Sequence, residues 1–276
     1  MDRRGVALRA ALKGANLQAM KTCVFAVVAL LVFSTVLSAG TTEDARRIIE
    51  ANEAAVVTVS LVIEMNMSYE GETNKEEHKT STTATVIDPS GLAVTSLLEI
   101  DPSSSTPSGE FNYSINVVSA KIKTSDGKEI PADVVLRDPD LDLAFIRPKA
   151  KPEKPMAFVD LTQSAEPNVM DELVVLSRMG RIASYSLAAG LERVEAVVRK
   201  PRTFYVVGMS NLRGPAFTLD GKAAGITLWR VSNTDDSDSD SDAYIQVVLP
   251  SKTVLEAAQH AKDAAPVETK APAAAE

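Results

Sequence analysis

An Asp-Gly pair sits between two β-rich runs in each half of this chain. Asp126-Gly127 separates residues 115–124 from 130–136, and Asp220-Gly221 separates residues 215–219 from 223–229. Asp-Gly suits the left-handed backbone of a tight hairpin turn, so each pair predicts two adjacent antiparallel strands. The same style continues along the sequence. Residues 55–67, 82–87, 92–100, 141–146, 173–176, 186–198, 203–207 and 243–249 are short β-rich runs bounded by turn residues such as Asp88-Pro89-Ser90-Gly91. Many short strands with regularly spaced turns imply an all-β sandwich or barrel. Residues 68–80, rich in glutamate, read as a solvated hairpin tip or loop, and 101–110, rich in serine and proline, as a loop. Helical pattern is confined to two places: residues 45–54, capped by Thr41-Thr42, and 251–262, capped by Ser251. Apolar residues form 45% of the 276 and charged ones 24%, so a packed core is within reach and global disorder is excluded.

The first 39 residues differ from the rest. Arg3, Arg4, Arg9, Lys13 and Lys21 precede an apolar run from Cys23 to Leu37, followed by Ser38-Ala39-Gly40. A basic flank, an apolar stretch and small exit residues form the pattern of a secretory signal, and an uncleaved membrane anchor is the alternative. Export to the periplasm or the medium is therefore expected, with any membrane contact made only through this segment. The single cysteine, Cys23, lies within it, so the remainder can form neither a disulfide nor a cysteine metal site. The formal net charge is −8, and without these residues the chain is more acidic still. Nucleic-acid binding, which needs a basic footprint, is excluded by that balance.

Three collinear segments carry a family resemblance. They are Thr83 to Ile100, a strand–turn–strand around Asp88-Pro89-Ser90-Gly91; Ser125 to Ile146, which contains Asp126-Gly127-Lys128-Glu129 and Arg137-Asp138-Pro139-Asp140-Leu141-Asp142-Leu143-Ala144; and Ser210-Asn211-Leu212-Arg213-Gly214-Pro215, running on to Ile226. The final run Ile245-Gln246-Val247-Val248-Leu249-Pro250, followed by a helix, extends it. Together they resemble the HtrA/Deg branch of the trypsin-like serine peptidases over residues 50–260. The resemblance implies a chymotrypsin/trypsin-like double six-stranded β-barrel with short helices at the N- and C-terminal ends. The implied organisation is one peptidase domain over 41–262, with an N-terminal barrel at about 55–147, a proline- and lysine-rich linker at 148–157, a C-terminal barrel at 158–250 and a terminal helix at 251–262. Residues 263–276, an Ala/Pro/Glu tail with nothing to bury, are expected to be disordered.

Mapped onto this sequence, the family's histidine aligns with Leu98, its aspartate with Asp142 and its nucleophilic serine with Leu212. A serine hydroxyl attacks a carbonyl only when a histidine takes its proton and a carboxylate orients that histidine. Leucine does neither, and losing either partner of a related triad costs about a millionfold in turnover. The oxyanion loop is altered too: Ser210 and Arg213 replace glycines around Asn211 and Gly214. The expectation is that Leu98 and Leu212 face one another where the dyad stood and bury apolar area. The only histidines, His78 and His260, lie outside the matched segments and read as solvated surface residues. Ser210 acting with another base keeps an active serine endopeptidase as the alternative reading.

By the same resemblance, one acidic tract replaces the loop between the strand at Gly225 and the last strand, which in active relatives lines the pocket for the substrate side chain. Asp235, Asp236, Asp238, Asp240 and Asp242 alternate with serines after Trp229-Arg230. Asp238, Asp240 and Asp242 have the spacing that opens a calcium loop, but the glycine at its sixth position and the acid at its twelfth are missing, so no metal is expected. The tract reads either as a solvated loop or as a binding loop for a basic peptide, with Trp229 and Arg230 as a groove wall. No cofactor is expected, because no phosphate loop, zinc spacing or nucleotide fingerprint occurs. The sequence thus predicts a catalytically inactive protease homologue that binds a peptide or protein partner.

Overall fold

A computed structural model describes residues 40–69, 72–102, 112–231 and 244–267. The apolar amino-terminal run and the aspartate tract lie outside the described residues. The chain divides into two compact units, one ending at Arg46 and one beginning at Arg47. The described residues of the first, 40–46, are helical. The second opens with helical residues 47–52 and a 3-10 turn over Glu53–Ala55, and holds everything discussed below. Among the described residues no helix is long and apolar enough to cross a membrane.

Twelve strands form two closed antiparallel barrels. The first contains β1 (Val56–Tyr69), β2 (Glu72–Val86), β3 (Ala93–Ser96), β4 (Asn112–Lys123), β5 (Glu129–Asp138) and β6 (Leu143–Pro148). Its order is β1-β2-β3-β6-β5-β4, and β4 pairs back on β1. The second contains β7 (Glu172–Arg178), β8 (Leu187–Val198), β9 (Phe204–Val207), β10 (Pro215–Thr218), β11 (Ala223–Val231) and β12 (Tyr244–Pro250), ordered β10-β11-β12-β9-β8-β7 and closed by β7 on β10. Helix α1 (Ser251–Lys262) follows directly on β12.

The barrels form because alternate side chains of each strand point inward. Val57, Val59, Leu61 and Ile63 of β1 meet Ile115, Val117 and Ile122 of β4 in one core. Leu173 and Val175 of β7 meet Val194, Tyr205, Ala216 and Val248 in the other. Strand β6 reads as an unbroken apolar run because both its faces are covered: Ala144 and Ile146 enter the first core, while Leu143 and Phe145 are buried on the opposite side. Both Asp-Gly pairs turn as expected, with Gly127 at φ 83° and Gly221 at φ 85°.

Three details differ from the sequence reading. Residues 72–80 are not a loop but the outer half of β2, paired with β1 residue by residue from Tyr69↔Glu72 to Leu61↔Thr80. Backbone pairing alone carries this stretch, since every side chain from Asn74 to Lys79 is exposed. Strand β3 stops at Ser96, because the next two amides are taken by Asp142 (below). Ser251 does not cap α1. The cap position is Pro250, without a side-chain bond, and Ser251 Oγ instead donates to the Ala223 carbonyl at 2.8 Å, tying the helix to β11.

Candidate functional site

The two barrels meet where β3 leaves the first and the β9–β10 loop leaves the second. On the first side, Asp142 precedes β6 with φ 55°, a left-handed backbone uncommon for a non-glycine residue. Its carbonyl accepts the Leu97 N–H at 3.0 Å. Its carboxylate accepts the Ser96 hydroxyl at 2.6 Å and the Leu98 N–H at 2.7 Å. Asp142 thereby bends the chain after β3 into a turn that carries Leu98 and Glu99. Burial pushes its pKa up to about 6, against the opposing pull of the Ser96 and Leu98 hydrogen bonds and of the Arg230 charge. Ser96, whose hydroxyl holds this carboxylate, is only 3% exposed, and Asp142 itself is half-buried.

On the second side, residues 208–214 form the loop between β9 and β10. Asn211 sits at φ 60° and Gly214 at φ 151°. A Cβ at Gly214 would fall onto the Leu176 carbonyl, so only glycine fits there. Gln246 of β12, completely buried, reaches this loop from below. Its Oε1 accepts the Ser210 N–H at 2.9 Å, and its Nε2 donates to the Leu212 carbonyl at 2.7 Å. The Leu212 N–H makes a long 3.4 Å contact with Ser210 Oγ, and the Arg213 N–H donates to Ser177 Oγ at 3.3 Å. An oxyanion hole needs free N–H groups aimed at the developing charge. In this loop each of those N–H groups already has an acceptor within the protein.

Leu98 and Leu212 differ in their surroundings. Leu212 packs on the core of the second barrel, where a Cβ placed at Gly190 would come within 2.7 Å of its Cδ1. Leu98 is half-buried and joins neither barrel's core cluster. The bridge across the junction is made one residue further along in each segment. Glu99 forms an ion pair with Arg213, and Glu99 also accepts the Thr82 hydroxyl at 3.4 Å. Arg213 thus fastens the Leu98 turn to the Leu212 loop. Thr83 adds a second stitch, bonding Ser177 Oγ at 3.2 Å and both backbone groups of Arg178. Beside these residues lies a polar recess of about 150 Å³ lined by Thr58, Ser81, Glu99, Asn211 and Arg213 among others.

The remaining candidates are dispersed. Arg230 on β11 donates to the Asp140 carbonyl at 2.9 Å, so it ties the second barrel to the first, with Trp229 half-buried beside it. Asp235, Asp236, Asp238, Asp240 and Asp242 lie outside the described residues. His78 is exposed on β2, 3.2 Å from Glu76, and His260 lies on α1; neither lines the junction recess. Among the described residues no cluster of metal-ligating side chains occurs. Three participants escaped sequence reasoning: Gln246, Glu99 and Ser96. Only Gln246 left a trace, as a polar residue at an inward position of an otherwise apolar strand.

Two closed six-stranded antiparallel barrels, with Glu99 in the turn after β3 paired to Arg213 of the β9–β10 loop at their junction, define the trypsin-like fold. Among solved structures the chain is similar to the HtrA-type protease AlgW with decapeptide, at a TM-score of 0.54 and 15% identity, over 79% of this chain and 67% of that one. At that identity the likeness concerns the fold. No protein-family model matches the sequence, and no curated protein does.

Proposed function

We propose that this chain is a catalytically inert relative of the HtrA/Deg-like trypsin-type proteases, exported to the cell envelope, where it acts by binding a peptide or protein. The observation that carries this reading is the state of the 210–212 loop. Its second residue after Ser210 is leucine rather than a nucleophile, and its N–H groups are spent on Gln246 and Ser210. Leucine at 98 leaves Asp142 nothing to orient, and the carboxylate is turned to structural use at the β3 exit. The exported location rests on the amino-terminal apolar run alone. A basic partner for the aspartate tract rests on its charge.

The reading is tested by two measurements. A fluorophosphonate probe is expected to leave the protein unlabelled. Clear labelling that disappears in Ser210→Ala would establish the active-endopeptidase alternative instead. The double variant Leu98→His, Leu212→Ser, assayed on a denatured protein substrate, is expected to show no turnover although it restores both side chains. Withdrawal of a single oxyanion donor costs about a hundred- to a thousandfold in related enzymes, and here the loop amides remain bonded internally. Robust hydrolysis by that variant would show the loop to be catalytically competent.

A further inference from the structure

The outer face of the first barrel carries a groove lined by Lys79, Lys121 and Arg181, with Glu129 as its one carboxylate. Ser60 and Val62 of β1 stand opposite Ser81 and Lys79 of β2 on one flank, and opposite Lys121 and Ser119 of β4 on the other. These side chains share one outward face of a three-stranded floor. A wall rises from the second barrel, where the β7–β8 loop brings Arg181 and Tyr185 over the same strands. The enclosed volume is about 590 Å³.

Three features hold this wall in position. Ser184 at φ 53° and Tyr185 at φ 59° are consecutive non-glycine residues in the left-handed region, a conformation that persists only where the surroundings enforce it. The loop is closed by backbone bonds from Ala183 to Gly180, Ser184 to Arg181 and Met179 to Ser186. The Tyr185 ring lies under the Lys123 ammonium at 4.6 Å, a cation–π contact that anchors the loop to β4.

The charges are unbalanced. Lys121 is paired with Glu129 at 2.8 Å and Lys123 sits on Tyr185, but Lys79 and Arg181 have no hydrogen-bond or ion-pair partner for their side chains among the described residues. Both are exposed, in a chain whose formal net charge is −8. Further out on the same face Glu64 and Glu77 stand opposite each other, with Lys75 3.9 Å from Glu64, so the cationic area is short. A nucleic acid or an anionic membrane needs a broad basic footprint, which this acidic surround denies. A short run of carboxylates meets no such obstacle. The hydroxyls of Ser60, Ser81 and Ser119 along the floor add donors for a polypeptide backbone.

We infer that this groove is a docking site for an acidic peptide segment of a partner protein, with carboxylates meeting Lys79 and Arg181 and the chain running along the serine-lined floor against Tyr185. The site is separate from the catalytic question, since neither cation lies in the 210–214 loop or the Leu98 turn. Ser81 also lines the polar recess at the barrel junction.

The test is fluorescence anisotropy of a labelled hexa-aspartate peptide with the full chain. Saturable binding at low salt is expected, weakening as salt screens the charges. Charge reversal in Lys79→Glu, Arg181→Glu should weaken it about tenfold or more, and the neutral pair Lys79→Gln, Arg181→Gln by less. Thermal melts of both variants should match the parent, because both side chains are exposed. Equal affinity of parent and charge-reversed protein, or no binding at low salt, would overturn the site. Binding of a heparin hexasaccharide but not of the peptide would overturn its assignment to a polypeptide. Fluorophosphonate labelling is unaffected by these substitutions, so failure here and failure of the inert-protease reading are distinguishable.

Discussion

Gln246→Leu is expected to cost roughly 3 kcal/mol of stability, because leucine preserves the volume but abandons two backbone groups. Gln246 is wholly buried, and its amide is the partner of the Ser210 N–H and the Leu212 carbonyl. An unsatisfied buried polar group costs about 1–3 kcal/mol. Ser210 keeps a second acceptor in the Gly208 carbonyl at 3.1 Å, which moderates its share. The flanking Val247 and Val248 stay buried in either case, so the β12 ladder should survive. Chemical denaturation gives the loss in stability, and hydrogen exchange locates it: amides of residues 208–214 should exchange faster while those of β12 keep their protection relative to global unfolding. A variant as stable as the parent, or one whose loop amides exchange no faster, would show that the glutamine amide does not fix the loop. The outcome bears on function, because the same amide occupies the Ser210 N–H and so holds it away from any bound carbonyl.

The difference between Gln246 and the strand around it shows where sequence reasoning reaches. The hairpins were legible because Asp126-Gly127 and Asp220-Gly221 encode their turns locally, and twelve β-rich runs correspond to the twelve strands. The outer half of β2 was not legible. Lys75, Glu76, Glu77, His78 and Lys79 carry no apolar alternation, and their strand state comes from pairing with β1. Strand β3 reads as running on to Ile100 because Leu97, Leu98 and Ile100 are apolar. It ends at Ser96 because Asp142, more than forty residues away in sequence, takes the amides of Leu97 and Leu98. The site follows the same rule. Residue identities at 98, 142 and 212 can be read by resemblance, whereas the Glu99–Arg213 bridge and the Gln246 clasp depend on which segments meet. The expected contact between Leu98 and Leu212 assumed that vacated positions close on each other. Leu212 packs on the core of its own barrel beside Gly190, and an ion pair bridges the junction one residue further along.

Asp142→Asn should reshape the pH dependence of folding. The carboxyl is pushed from 3.8 to about 6 in the folded protein, chiefly by burial. A raised carboxyl pKa means that between those two values the folded state binds more protons than the unfolded one. Stability attributable to Asp142 is therefore greatest below pH 4, falls as pH rises toward 6, and stays at its lower value above that. The shift corresponds to roughly 2–3 kcal/mol. Exposed carboxylates with lowered pKa act in the opposite sense at lower pH: Asp220, held near 2 by the Thr218 hydroxyl and Lys222, and Asp160, lowered by Thr162, favour the fold above their unfolded values and cease to do so as pH falls through their folded ones. The parent should accordingly be most stable in mildly acidic solution. Asparagine keeps the geometry, since its carbonyl can accept the Leu98 N–H and its amide can donate to Ser96 Oγ, but it cannot ionise. The difference in unfolding free energy between parent and variant should then change by about 2–3 kcal/mol in the variant's favour between pH 4 and pH 7. It should be constant from there to pH 8. A pH-independent difference would mean that Asp142 stays ionised throughout, and that the Ser96 and Leu98 hydrogen bonds with Arg230 fully offset its burial.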